Sequence, residues 1–225
     1  MKGTLMLLLG GLCASCAPTR PPGGTPRVKR VVLVHGFGEN GSSFSWMKER
    51  LQRLGMECYV PKLRPADGRG GLARLAEGLK RDIDRHFGEH ERIAVVSFSM
   101  GGIVSRYYLQ ELGGAGRCDT LVTIASPHHG TLAARLYPTR GAAEMRPGSE
   151  FLAKLDASAD RLGDMPVVSY RTRMDLVIIP ASSSIWARAV NLEYPAPLHP
   201  LLLSSRGLID DLERRLMTAE PAPAP

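Results

Sequence analysis

The sequence predicts an α/β fold, with a central, mostly parallel sheet of about six strands and helices on both faces. Three observations carry this expectation. Continuous apolar runs such as Val31-Val32-Leu33-Val34 and Ile93-Ala94-Val95-Val96 have the character of strands buried on both faces. Between them lie segments whose apolar residues recur at spacings of three and four, as in amphipathic helices. The two patterns alternate along the chain, which sets successive strands side by side with helices crossing over between them.

Taken in order, the run 31–34 ends in His35-Gly36-Phe37-Gly38. Ser42 or Ser43 can then cap a helix carrying Phe44, Met47, Leu51 and Leu54, with Gly55 as its stop. A short strand follows around Cys58-Tyr59-Val60, and Pro61 halts it. Leu72, Leu75, Leu79, Ile83 and Phe87 make the stripe of a second helix. The run 93–96 is a third strand, and 101–112 reads as a helix turning Ile103, Tyr107 and Tyr108 inward. Further strands are expected at 121–124, 167–170 and 189–192, and a last helix over about 205–217. The segment 131–165 breaks the pattern, with Pro138, Pro147 and Gly148 interrupting it; such an excursion either covers a site or decorates the surface.

With 225 residues the chain is long enough for one domain with a full core. Hydrophobic residues at 44% and charged residues at 23% fit a globular protein and exclude a disordered one. The net charge of +7 is scattered along helical segments, with no aromatic-basic interleaving or zinc-finger spacing, so nucleic acid is not an expected partner. No obligate protein partner is evident either.

Residues 1–16 have the layout of an export signal: an early lysine, a short apolar run and small residues before Cys16. Ala14-Ser15-Cys16 resembles the end of a bacterial lipobox, although Cys13 stands where that motif has an aliphatic residue. The expected destination is the cell envelope, with membrane attachment through a lipidated Cys16, or else secretion. Residues 17–27 read as a Pro/Gly-rich tether, 28–218 as the folded domain and 219–225 as an Ala/Pro tail.

The chemistry is concentrated at Ser97-Phe98-Ser99-Met100-Gly101-Gly102. A nucleophile on a sharp strand-to-helix turn needs small residues two places before and two places after it. Ser99 has Ser97 and Gly101 at those places, whereas Ser97 would have the branched Val95 at one of them. Ser99 also lies past the apolar run, at the carboxyl edge of the strand where open α/β sheets bind ligands. Ser99 is therefore the candidate nucleophile, with Ser97 standing in for a glycine.

V-H-G-F-G at 34–38, S-F-S-M-G-G at 97–102, A-S-P-H-H-G-T at 125–131 and a late acid and histidine occur in this order. In these motifs the chain resembles the α/β-hydrolase family, specifically its small bacterial lipases and esterases. The resemblance implies an α/β-hydrolase fold and the order nucleophile, acid, histidine. It implies an oxyanion hole made by the backbone N–H groups of Phe37 and Met100. Only His199, in P-A-P-L-H-P, follows every candidate acid; Asp175, in R-M-D-L-V-I-I-P, sits much as the acid does in these lipases, ahead of Asp156, Asp160, Asp164 and Glu193 as a choice. His35, His128 and His129 are expected beside the substrate pocket, and His86 and His90 in solvent. The function implied is hydrolysis of carboxylic esters, with an acyl ester or lipid as substrate and no metal or organic cofactor. Thioester hydrolysis or acyl transfer would use the same triad, and a non-catalytic binding protein could keep the fold alone. In this family's strand order the strands near Cys58 and Cys118 are separated by two intervening strands, roughly 14 Å, which is beyond disulfide reach and predicts two free thiols.

Overall fold

The computed structural model of the protein describes residues 25–217. The export signal, most of the tether and the C-terminal tail of the sequence reading lie outside the described residues. The sheet strands are β1 (Arg30–Val34), β2 (Glu57–Tyr59), β3 (Ile93–Phe98), β4 (Cys118–Ile124), β5 (Val167–Arg171) and β6 (Val190–Glu193). The helices are α1 (Ser45–Arg53), α2 (Leu72–Phe87), α3 (Met100–Glu111), α4 (Arg140–Glu144), α5 (Glu150–Ala157) and α6 (Arg206–Leu216).

All six strands run parallel in the order β2-β1-β3-β4-β5-β6. The side-chain alternation of a strand divides the core into two layers. Val32 and Val34 of β1 join Val95, Leu121 and Val167 against α2, α3 and α5. Val31 and Leu33 join Val96, Val122 and Tyr170 against α1 and α6. Burial on both sides explains why the central strands read as unbroken apolar runs. The edge strand β6 is largely exposed, which is why its pattern is the weakest of the six.

The stripe expected on α2 is buried throughout. On α3, Ile103 and Tyr108 are buried while Tyr107 is only half-buried, stacked on Phe151 of α5 at 5.3 Å. Neither Ser42 nor Ser43 caps α1. A single 3-10 turn over Ser42–Phe44 precedes the helix and starts from Gly41 at φ 87°, a left-handed conformation that costs a glycine little. The Ser42 N–H donates instead to Asn40 Oδ1, and the Ser43 hydroxyl to Glu39 Oε2. Cys58 and Cys118 are buried free thiols, with β1 and β3 between their strands. Burial pushes the Cys58 thiol up to about 11 and the Cys118 thiol up to about 12, so both stay protonated and inert at neutral pH.

The excursion 131–165 is a folded unit of two short helices and two 3-10 turns. Thr139 and Ser149 cap its helices by accepting from Ala142 N and Leu152 N. Arg106 of α3 ties the unit down from inside. Its guanidinium donates to Gln110 and Asp156 and lies over the Trp186 ring at 4.2 Å.

Candidate active site

The strand β3 delivers Ser99 at its carboxyl end, and α3 starts at the next residue. Ser99 has φ 53° and ψ −126°, a strained conformation for a residue with a side chain, of order 1–3 kcal/mol. The neighbouring strand holds it there: Ser99 N–H donates to Ile124 O at 2.9 Å, and Ser99 O accepts from Gly102 N at 3.0 Å. Gly101, two places after the serine, has no room for a side chain. A Cβ on Gly101 would lie 2.4 Å from Val34 O, and one on Gly36 would lie 3.1 Å from Ser99 Cβ. The loop after β1 therefore rests directly against the strained serine.

Asp175 follows β5, and His199 opens a 3-10 turn ahead of α6. Asp175 Oδ2 lies 2.7 Å from His199 Nδ1, and Asp175 Oδ1 accepts from the N–H groups of Val177 at 2.9 Å and Ile178 at 2.8 Å. Both oxygens of the buried carboxylate are thus engaged, one by backbone and one by the imidazole. The His199 ring leans on Phe98 at 4.6 Å. This arrangement fixes the ring and leaves Nε2 as its other nitrogen.

Ser99 and His199 line one cavity of about 240 Å³, together with Phe37 and Met100. Its walls are mainly apolar, and Tyr137, Ala142 and Met145 come from the excursion, which therefore covers the site. Met100 is the first residue of α3 and Phe37 lies in the loop after β1; among the described residues neither N–H donates to a protein acceptor. Four of the residues expected from the sequence, Phe37, Ser99, Met100 and His199, thus line one hollow, and Asp175 stands behind His199.

None of His35, His128 and His129, expected beside the pocket, is among the residues that line this cavity. His35 is fully buried behind the loop, where Nε2 accepts from Leu63 N–H at 3.1 Å and Nδ1 donates to Gly36 O at 2.9 Å. Burial holds its pKa below the ordinary imidazole value, against the opposing Gly36 bond. His128 is also fully buried, stacked on Trp186 at 4.8 Å with Nε2 3.1 Å from Thr123 Oγ1. Burial, and next the Arg106 charge, push its pKa well down. The His129 side chain is exposed. Gly130, at φ 87° and packed on Pro147, turns the chain so that Thr131 faces the cavity in their place. His86 stacks on Tyr59 at 3.9 Å and His90 is exposed.

Two residues that sequence reasoning passed over support the site. Glu39, half-buried on the cavity wall, accepts from Gly36 N–H at 3.1 Å with Oε2 and so braces the Phe37 loop from behind. Its signal was a carboxylate three residues after Gly36. The Thr131 hydroxyl donates to Val177 O at 2.7 Å and accepts from Ile179 N at 2.9 Å, joining the excursion to the Asp175 loop. No spacing rule marks it, because its partners are backbone atoms far along the chain. Among the described residues there is no group of three or more His, Cys, Asp or Glu that could hold a metal.

Comparison with known proteins adds a family. The model of the palmitoyl protein thioesterase family matches residues 30–160, more than half of the chain. The match contains Phe37, Ser99 and Met100 and stops before Asp175 and His199. No curated protein matches the chain. Among solved structures, mature lipase BlEst2 of Bacillus licheniformis superposes with a TM-score of 0.69 at 18% identity, over 89% of this chain and 95% of its own. Lipase B of Aspergillus fumigatus gives 0.65 at 18%, over 87% of this chain and 54% of its own. A structure from the metagenome-derived lipolytic enzymes LipS and LipT gives 0.63 at 16%, over 88% and 98%. At these identities the superpositions establish the α/β-hydrolase fold, and the family match goes further: the chain belongs to the palmitoyl protein thioesterase family.

Proposed function

We propose that this protein is a serine hydrolase that releases acyl chains from carboxylic esters through an acyl-enzyme on Ser99. The observation that carries the reading is the meeting, in one apolar cavity, of a strained strand-to-helix serine and a histidine held by a buried aspartate. Ser99 Oγ attacks the acyl carbonyl as its proton passes to His199 Nε2. The Phe37 and Met100 N–H groups receive the charge that develops on the carbonyl oxygen. The bond to the leaving group then breaks, and His199 returns the proton to the departing alcohol. Water repeats the sequence on the acyl-enzyme, giving the carboxylic acid and restoring Ser99. Asp175 orients His199 and stabilises the imidazolium without taking the proton.

The family match favours a second reading in which the leaving group is a thiol. The steps are unchanged, and the apolar wall recognises the acyl side in either case. The protein is proposed to act after export, held at the envelope through a lipidated Cys16 or secreted, on the strength of residues 1–16.

A fluorophosphonate probe tests the reading. Labelling of the wild type and none of Ser99→Ala is expected; no labelling of either, or equal labelling of both, would leave a non-catalytic binding protein. Turnover of matched oxygen and sulfur esters of one acyl chain then separates the two leaving groups, and a series of p-nitrophenyl esters gives the preferred chain length.

A further inference from the structure

The cavity that holds Ser99 has an inner end and a mouth. Met100, Ala134, Ala142 and Met145 line it and are also buried members of the core layer beneath α2 and α3. Tyr137 and Val177 line it too, but they are 49% and 43% exposed, so the cavity opens to solvent on their side. An acyl group attached at Ser99 therefore has an apolar, water-free place for its chain at the inner end, and the leaving group keeps to the mouth.

The wall that closes the inner end is fastened on both sides. Gly141 N–H donates to Gly68 O at 2.9 Å, and a Cβ on Gly141 would lie 2.8 Å from that oxygen, so α4 sits directly on the loop before α2. Glu144 Oε2 accepts from Leu72 N–H at 2.6 Å, a carboxylate on the first turn of α2. On the other side Met145 O accepts from Thr131 N–H at 2.8 Å, and Gly130 packs on the backbone of Pro147. Ala142 and Met145 thus stand on a segment bonded at both ends to other parts of the fold. A close-packed wall of this kind admits extra methylenes only by off-rotamer side chains and backbone shifts.

Size then sets a limit. An apolar cavity of roughly 150 Å³ takes up one benzene molecule, six carbons. By the same measure the cavity of about 240 Å³ takes about nine or ten heavy atoms. We propose that the excursion is a chain-length ruler, which selects acyl groups of up to about eight carbons, with Met145 and Ala142 setting the limit. A sixteen-carbon group would leave about half of its chain outside. This rests on the acyl-enzyme reading above and names the class of acyl group that it serves.

The test is kcat/KM on p-nitrophenyl esters of two to sixteen carbons, at one detergent concentration, for the wild type and two variants. In the wild type kcat/KM should rise by up to about fourfold per methylene as far as about eight carbons, and gain nothing beyond. Met145→Ala takes three heavy atoms from the inner end. It should raise the ratio of the twelve-carbon to the eight-carbon ester by at least about tenfold. Ala142→Leu adds three heavy atoms there and should lower the ratio of the eight-carbon to the four-carbon ester by at least about tenfold. A merely structural role would move rates and melting temperature but not these ratios. Should Met145→Ala fail to fold, Ala142→Leu and the wild-type profile decide. A wild-type kcat/KM that keeps rising to twelve carbons, or ratios unchanged in both variants, overturns the ruler. No turnover at any length sinks the hydrolase reading instead, and the ruler is then read by titrating Ser99→Ala with octanoate and dodecanoate. Octanoate bound as tightly as dodecanoate, to within about tenfold, upholds it, since four more buried methylenes would give far more. A larger preference for dodecanoate, or binding of neither acid, overturns it.

Discussion

The Ser97 hydroxyl donates to the Val122 carbonyl across the β3–β4 pair at 3.0 Å, in a fully buried position. Strand alternation points Ser97 to the same face as Val95, the face that α3 covers. A serine is thus tolerated two places before the nucleophile because its one polar group is satisfied by the neighbouring strand. Ser97→Gly should retain activity while losing about 1–2 kcal/mol of stability, from the lost hydrogen bond and the freer backbone. Ser97→Val should lose activity, since a branched side chain there presses on the turn that carries Ser99. Turnover and thermal melting of the two variants check this, and equal activity in both would show the packing argument to be wrong.

The two oxygens of Asp175 have separate partners, so Asp175→Asn has a predictable geometry. The amide oxygen would keep the Val177 and Ile178 N–H bonds, leaving the NH2 group facing His199 Nδ1. His199 would then carry its proton on Nε2, the wrong tautomer for a base. The expected loss in kcat is on the order of 10³–10⁴-fold with the fold intact, by analogy with the serine-protease triad. A loss below about tenfold would show that Asp175 does not orient the base.

Glu39 holds the loop of Phe37 through a single bond to Gly36 N–H. Glu39→Ala removes the acceptor and loosens the loop, which keeps the Gly38 N–H bond to Ala66 O. It should lower kcat by about tenfold, with KM little changed, because a donor is displaced from where charge develops. Glu39→Gln presents an amide oxygen in the same place and should restore most of the rate. A change in KM alone, or no rescue by Gln, would show that Glu39 acts on substrate binding or on folding instead.

The legible parts of this molecule are those governed by local rules. Unbroken apolar runs marked β1 and β3 because burial on both faces leaves a strand no polar side. The small residues around Ser99 were legible because a sharp strand-to-helix turn leaves no room beside it, with Gly101 pressed on the backbone of Val34 and His35. The side-chain directions of His35, His128 and His129 follow no such local rule. A histidine beside a strand end can turn toward the cavity or into the core, and distant partners such as Leu63 and Trp186 decide which. Glu39 and Thr131 escaped notice because they act on backbone groups, which carry no residue identity.

The same two buried histidines make stability depend on pH. Burial lowers the folded-state pKa of His35 and His128 from the unfolded value of 6.5. Below 6.5 the unfolded chain binds protons that the folded chain refuses, so acid favours unfolding. Their contribution is fully present above that value and is lost as the pH falls through it, at up to about 1.4 kcal/mol per pH unit for each histidine. For His35 the structural reason is direct, since a proton on Nε2 would displace the Leu63 N–H bond. Melting temperatures measured between about pH 5 and pH 8 should be flat on the alkaline side and fall on the acid side. The acid limb should become shallower in His128→Gln, which keeps a polar side chain near Thr123 and cannot titrate. An acid limb identical to that of the wild type would mean that His128 takes up no proton on unfolding in this range.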